Sequence, residues 1–209
     1  GELEIYVTLE KLGSGEEGRF TDSLFSTPSH IGDALGYVDR IVGNFTLGDR
    51  AAGSEYVVMV GTGTGVAPFV GMMKQLAHEA KQGQTSTARY TLFHANRTVA
   101  ELGYDAILSS LGEENIPGFD FQYIRSVSRP TSQDASDSSL SQGRANTLLR
   151  SVLGFPTLEE ELLEAARTSG GDVAAAELAA NKATRPRLAA ALDPAAVKGR
   201  MPNGRTTVL

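Results

Sequence analysis

The sequence predicts an α/β protein: a parallel doubly wound domain preceded by part of an antiparallel β-barrel. Three observations carry that reading. From Tyr56 onward, long apolar runs alternate with amphipathic helical segments, the pattern of right-handed βαβ units whose parallel sheet is covered on both faces. The run Tyr56-Val57-Val58-Met59-Val60-Gly61-Thr62-Gly63-Thr64-Gly65-Val66-Ala67-Pro68-Phe69 reads as a buried strand that turns through glycines into a helix. Before it, short apolar stretches separated by glycine-rich turns give residues 1–50 the texture of a small all-β segment.

In chain order, Leu3, Ile5, Val7 and Leu9 alternate with polar neighbours, apart from Tyr6, which predicts a half-buried strand over 1–10. Glycine turns follow at 13–18 and around Gly32 and Gly36, and the domain boundary is expected near 48–54. Strands are then predicted at 56–60, 89–94 and 119–127, with helices from 68 to about 82 and from 99 to about 111. Residues 126–142, rich in serine and aspartate, read as an exposed loop before a helix at 145–153. Thr157-Leu158-Glu159-Glu160 after Pro156 is a capping-box signal for a helix over 158–167. Asp172 and Asp193-Pro194 mark two further helix starts, the first for an alanine-rich helix over 173–182. Arg205-Thr206-Thr207-Val208-Leu209 reads as a strand at which the sequence stops mid-fold.

Composition narrows the function. The 209 residues are 41% hydrophobic and carry a net charge of -6, which argues against nucleic acid as a partner, because phosphate backbones need a basic surface. No apolar run is long enough for a membrane span, and the polar start does not look like a signal peptide, so a cytoplasmic protein is expected. With no cysteine and only His30, His78 and His94, widely spaced, neither a disulfide framework nor a metal site is expected. His94 is expected to make a structural hydrogen bond. His78 is expected on a surface or in helix packing, and Phe69, Met72, Met73 and Leu76 are expected to pack a helix on the sheet.

The glycine-rich turn carries the chemistry. Gly61, Gly63 and Gly65 let backbone N–H groups approach a phosphate without Cβ obstruction, and Pro68 suits a first helical turn, where its missing N–H costs nothing. The pattern departs from the standard dinucleotide fingerprint: Val66 stands where a third glycine is wanted, and no carboxylate follows at the ribose position. A dinucleotide bearing a 2'-phosphate calls for arginine forks instead of that carboxylate, and Asn96, Arg97, Ser128, Arg129 and Arg144 supply donors near successive strand ends.

Gly61-Thr-Gly-Thr-Gly-Val-Ala-Pro-Phe69, together with motifs on either side, resembles the ferredoxin/flavodoxin–NADP(+) reductase family of flavoproteins. Gly18-Arg19-Phe20-Thr21-Asp22-Ser23-Leu24 resembles the segment that holds the FAD pyrophosphate, and Gly43-Asn44-Phe45-Thr46-Leu47 resembles the last strand of the FAD-binding barrel. His94-Ala95-Asn96-Arg97 with Glu101-Leu102-Gly103-Tyr104, then Ser128-Arg129 and Gly143-Arg144, resemble the second strand end and the 2'-phosphate pair. The resemblance implies that 1–50 is the C-terminal part of an FAD-binding barrel domain. It implies that 51–209 is an NADP-binding α/β domain with a helical insertion at about 155–195, cut before its last strands.

It further implies FAD bound through Arg19, Phe20 and Thr21, and NADP(H) bound through Thr62, Gly63, Thr64, Gly65, Ala67, Pro68, Asn96, Arg97, Ser128, Arg129 and Arg144. Tyr104 is expected to pack near Arg97. The implied activity is electron passage between NADPH and ferredoxin or flavodoxin. The family's Arg-x-Tyr-Ser flavin motif would lie before Gly1 and its Cys-Gly turn after Leu209, so no catalytic residue is assigned and little turnover is expected from this chain alone. Two other readings stay open: a reductase component of an oxygenase system, and a non-catalytic NADP(H)-binding module.

Overall fold

The structure, a computed structural model, describes residues 4–9, 18–26, 32, 34, 36, 40 and 42–209. The chain divides into two units, Gly1–Phe45 and Thr46–Leu209. In the first, helix α1 spans Arg19–Ser26. This differs from the all-β expectation, and the reason lies in the side chains. Phe20 and Leu24 repeat at helical spacing, and the hydroxyls of Thr21, Ser23 and Ser26 donate to the carbonyls of Gly18, Phe20 and Asp22, three or four residues back. Residues 4–9 join no ladder among the described residues and leave Ile5 61% exposed, because alternation in sequence alone does not hold a strand. The turn expected at 13–18 lies, apart from Gly18, outside the described residues.

At the start of the second unit, the stretch expected as a final barrel strand instead caps a short helix, α2 (Leu47–Arg50). The Thr46 hydroxyl accepts from the Asp49 N–H at 3.1 Å and donates to the Asp49 carboxylate at 2.6 Å, a local pairing that competes with extension.

The rest is the predicted α/β fold. Strands β1 (Tyr56–Thr62), β2 (Arg89–Asn96), β3 (Asp120–Val127), β4 (Ser141–Gln142) and β5 (Thr206–Val208) form one parallel sheet in the order β4-β3-β2-β1-β5. Helices α3 (Ala67–Lys81) and α4 (Asp105–Glu113) follow β1 and β2 and touch each other, as successive right-handed crossovers require. Helices α6 (Ala145–Leu153) and α9 (Pro194–Gly199) cover the other face. There Val58, Phe93 and Ile124 meet Ala145, Leu148, Val152, Val197 and Met201 in one buried cluster. By alternation, Val57, Met59, Leu92 and His94 face α3 and α4, which explains why the central strands are apolar almost throughout. Phe69 and Met73 are buried as expected, with Met72 and Leu76 half-buried.

Several boundaries shift for local reasons. The helix expected over 99–111 divides, because a Thr98–Glu101 capping box closes a 3-10 turn at Val99–Glu101 and Tyr104, at φ +61°, starts α4 afresh. The loop expected over 126–142 contains α5 (Ser132–Ser136), begun by a Thr131–Asp134 capping box, as well as β4. Helices α7 (Leu158–Ser169) and α8 (Val173–Lys182) pack on one another and bury no residue.

Candidate nucleotide-binding site

Because β2 lies on one side of β1 and β5 on the other, the chain reverses its direction of travel across the sheet at β1, and ligands of such sheets bind beyond the strand ends at that point. The β1 end runs into a 3-10 turn at Gly63–Val66 and then into α3, which has no side-chain cap and carries Pro68 in its first turn. The positive end of a 15-residue helix dipole therefore faces this space, although the Ala67 N–H is already given to Thr64 O and Pro68 has none to offer. Each glycine is there for a different reason. A Cβ on Gly61 would lie 3.1 Å from Val66 Cα, so the turn folds back onto the strand only over a glycine. Gly63 has φ +56°, the left-handed region. A Cβ on Gly65 would meet nothing within 4 Å and carries no positive φ, so neither packing nor strain requires that glycine. The hydroxyls of Thr62 and Thr64 are exposed and bond to no other described residue.

Beyond the ladder, Ser128 N–H donates to Asn96 O at 2.9 Å and Arg129 N–H to Arg97 O at 2.8 Å, which sets Arg97 and Arg129 on adjoining strand ends. Gly143 N–H donates to Val127 O at 2.9 Å and brings Arg144 alongside, at the start of α6, which likewise lacks a side-chain cap. All three arginines are exposed, and none has an acidic or hydrogen-bonding side-chain partner among the described residues. Arg125, Arg150, Arg167, Arg200 and Arg205, by contrast, are each paired with a carboxylate. Like charges on adjoining backbone positions without counter-charge repel one another to the extent that their side chains approach, and an anion relieves that cost.

Under the turn lies a polar network that the sequence reading did not find. His94 neighbours Gly61 on one side and Arg125 on the other in the ladder. Arg125 Nη1 donates to Asp105 Oδ2 at 2.7 Å, and the Tyr123 hydroxyl donates to Asp105 Oδ1 at 3.0 Å. A hydroxyl has one proton, so the 2.9 Å contact between Tyr123 and His94 Nδ1 is made by the imidazole N–H. Nε2 is left as a bare acceptor, buried and without a partner among the described residues. Burial lowers the His94 pKa from 6.5 to about 4 against the opposing pull of Asp105. Burial, followed by the Asp105 charge and hydrogen bond, raises the Tyr123 hydroxyl far above its ordinary range, with Arg125 opposing. The expected structural hydrogen bond of His94 is present. His78 is exposed and bonds to Gln82.

Of the other sequence-predicted residues, Ala67 and Pro68 form the start of α3. The Asn96 amide is used within the chain, donating to Glu101 O at 2.6 Å and accepting from Arg97 N–H at 2.9 Å, so it shapes the turn that presents Arg97. Arg19, Phe20 and Thr21 belong to α1 in the other unit, with Arg19 exposed and Phe20 72% exposed. Asp105, Tyr123 and Arg125 escaped sequence reasoning, although Tyr123 and Arg125, two apart on a buried strand, share one face and invite a partner. The described residues hold no group of acidic or histidine side chains that would bind a metal, and no helix among them is long and apolar enough to cross a membrane.

No curated protein sequence matches the chain. Among solved structures, similarity extends to the cytochrome b5 reductase domain of Ulva prolifera nitrate reductase, at 23% identity and TM-score 0.32, over 38% of this chain and 27% of that one. It also extends to the CS-b5R domains of human Ncb5or in the NAD+ form, at 20% identity and TM-score 0.37, over 62% of this chain and 31% of that one. The chain thus spans less than a third of either neighbour, and likenesses this weak carry no functional argument. A family model described as the oxidoreductase NAD-binding domain matches residues 59–165, just over half of the sequence and the part that contains the glycine-rich turn, Arg97, Arg129 and Arg144. The chain belongs to the oxidoreductase NAD-binding domain family, the nicotinamide dinucleotide-binding domain of ferredoxin reductase-type enzymes.

Proposed function

We propose that this chain is the NADP(H)-binding part of a cytoplasmic FAD-dependent oxidoreductase that passes electrons between NADPH and a small carrier protein, ferredoxin or flavodoxin. The observation that carries the preference for NADP(H) is the set of three arginines, Arg97, Arg129 and Arg144, on adjoining strand ends without counter-charge. In this reading, Thr62, Gly63, Thr64 and Gly65 line the pyrophosphate, whose charge meets the uncapped start of α3. The open space over Gly65 fits a ligand's close approach. Ser128, Arg129, Arg144 and Arg97 hold the 2'-phosphate by charge-assisted hydrogen bonds. Fixed backbone dipoles orient the dinucleotide without solvent reorganisation, and the chain contributes position more than proton transfer.

Arg19, Phe20 and Thr21 are assigned to the FAD pyrophosphate, an assignment supported by an exposed guanidinium and an exposed ring in the first turn of α1. FAD supplies the conversion between a two-electron hydride and single electrons. The test is a double Arg129→Ala, Arg144→Ala variant. It is expected to weaken NADPH binding by about a hundred-fold and NADH by much less, each arginine contributing roughly ten-fold. Equal losses for the two nucleotides reject the assignment.

A further inference from the structure

Where the chain returns from the α7–α8 hairpin, residues 184–187 lie as a strap across the mouth of the β3 and β4 ends. The Thr184 hydroxyl donates to Ser128 O at 2.6 Å. Gln142 N–H donates to Arg187 O at 2.7 Å, and Arg187 N–H returns the bond to Gln142 O at 3.0 Å. Between these anchors, Pro186 Cα would lie 3.3 Å from a Cβ on Gly143, so the strap presses on the residue before Arg144 and needs a glycine there. Arg185 is therefore held between Ser128–Arg129 on one side and Gly143–Arg144 on the other.

The two arginines of the strap differ in a telling way. Arg187 Nη2 donates to the carbonyls of Asp137 and Leu140, at 3.0 and 3.4 Å, and so fastens the strap to the loop before β4. Arg185 is exposed and has no partner among the described residues. The nearby carboxylates are engaged elsewhere: Asp134 accepts from Thr131 N–H, and Asp137 accepts from the N–H and hydroxyl of Ser139. A fourth guanidinium without a counter-charge among the described residues thus stands on a strap fastened beside those strand ends, in a protein whose net charge is -6.

We propose that Arg185 is a specificity residue of this site, delivered by the strap, and that it contacts the 2'-phosphate of the bound dinucleotide. The proposal rests on the NADP(H) reading above and adds a donor that the glycine-rich turn and the strand ends do not supply. It also gives the α7–α8 insertion a role at the site, since the strap is its return path.

The test is calorimetric titration of the 209-residue chain with 2',5'-ADP and with 5'-AMP, which differ only in the 2'-phosphate. The unaltered chain is expected to bind 2',5'-ADP more tightly than 5'-AMP. Arg185→Ala is expected to weaken 2',5'-ADP about ten-fold and leave 5'-AMP unchanged, the scale of one charge-assisted hydrogen bond, and Arg185→Lys is expected to recover part of the loss. Unchanged 2',5'-ADP binding in Arg185→Ala, or equal losses for both probes, overturns the role of the strap while the NADP(H) reading stands. An unaltered chain that binds the two probes equally overturns both.

Discussion

Gly61 and Gly65 stand four residues apart in one motif, yet they are glycines for opposite reasons. At Gly61 the chain itself forbids a side chain, because the returning turn places Val66 Cα and Cβ at 3.1 and 3.3 Å from where a Cβ would stand. Gly61→Ala is expected to cost about 1–3 kcal/mol in urea unfolding, the usual toll of overpacking a tight contact. Gly65→Ala is expected to leave stability within about 0.5 kcal/mol and to weaken dinucleotide binding about ten-fold, since its methyl group would project into space left open by the protein. A Gly65→Ala variant with unaltered affinity removes that glycine from the ligand path. The sequence shows three alternate glycines and cannot tell these cases apart, because the difference lies in how closely Val66 folds back. The partners of His94 were hidden for the same kind of reason: Tyr123 is 29 residues away, and only the β2–β3 register brings the two together.

Among the elements, those whose period was unbroken were legible. The central strands fall where their apolar runs put them, because burial on both faces leaves little choice of register, and α6 falls where its apolar spacing puts it. What was missed is short or locally capped: β4 has two residues, α5 has five, and α1 replaces an extended reading through hydroxyls that bond back along the chain. The α7–α8 hairpin was read correctly from its caps, and its weak point follows from them. Neither helix buries a residue, so its order depends on the Thr157–Glu160 capping box, the Arg167–Glu177 pair and the Arg150–Glu161 contact more than on the core. Thr157→Ala is expected to remove about 1 kcal/mol from the hairpin and raise amide hydrogen exchange in α7 about five-fold, while α3 exchanges as before. Equal acceleration in α3 would mean that the hairpin and the core open as one unit.

At the scale of the whole molecule, doubly wound topology was readable from alternation alone, whereas the contents of its interior were not. The buried His94 couples global stability to pH. Its folded pKa of about 4 lies below the ordinary 6.5, so between those values the unfolded chain binds a proton that the folded chain refuses. This contribution is intact above pH 6.5 and is lost as pH falls toward 4. A slope of about 1.2 kcal/mol per pH unit is expected between pH 6 and 5, where carboxylates remain ionised. Denaturant melts across that window check it, and His94→Gln is expected to flatten the slope; an unchanged slope in that variant assigns the effect to other groups. The antiparallel bridge between Gln142 and Arg187 bears on the molecule's dealings with its neighbours. An open strand margin is where a second chain adds itself and a fibre begins. Here the protein's own backbone occupies the margin of β4 at Gln142, and Pro186, the residue before Arg187, is an imino acid with no hydrogen to offer. Crowded copies of this protein are thus denied a template for growing ribbons along that flank.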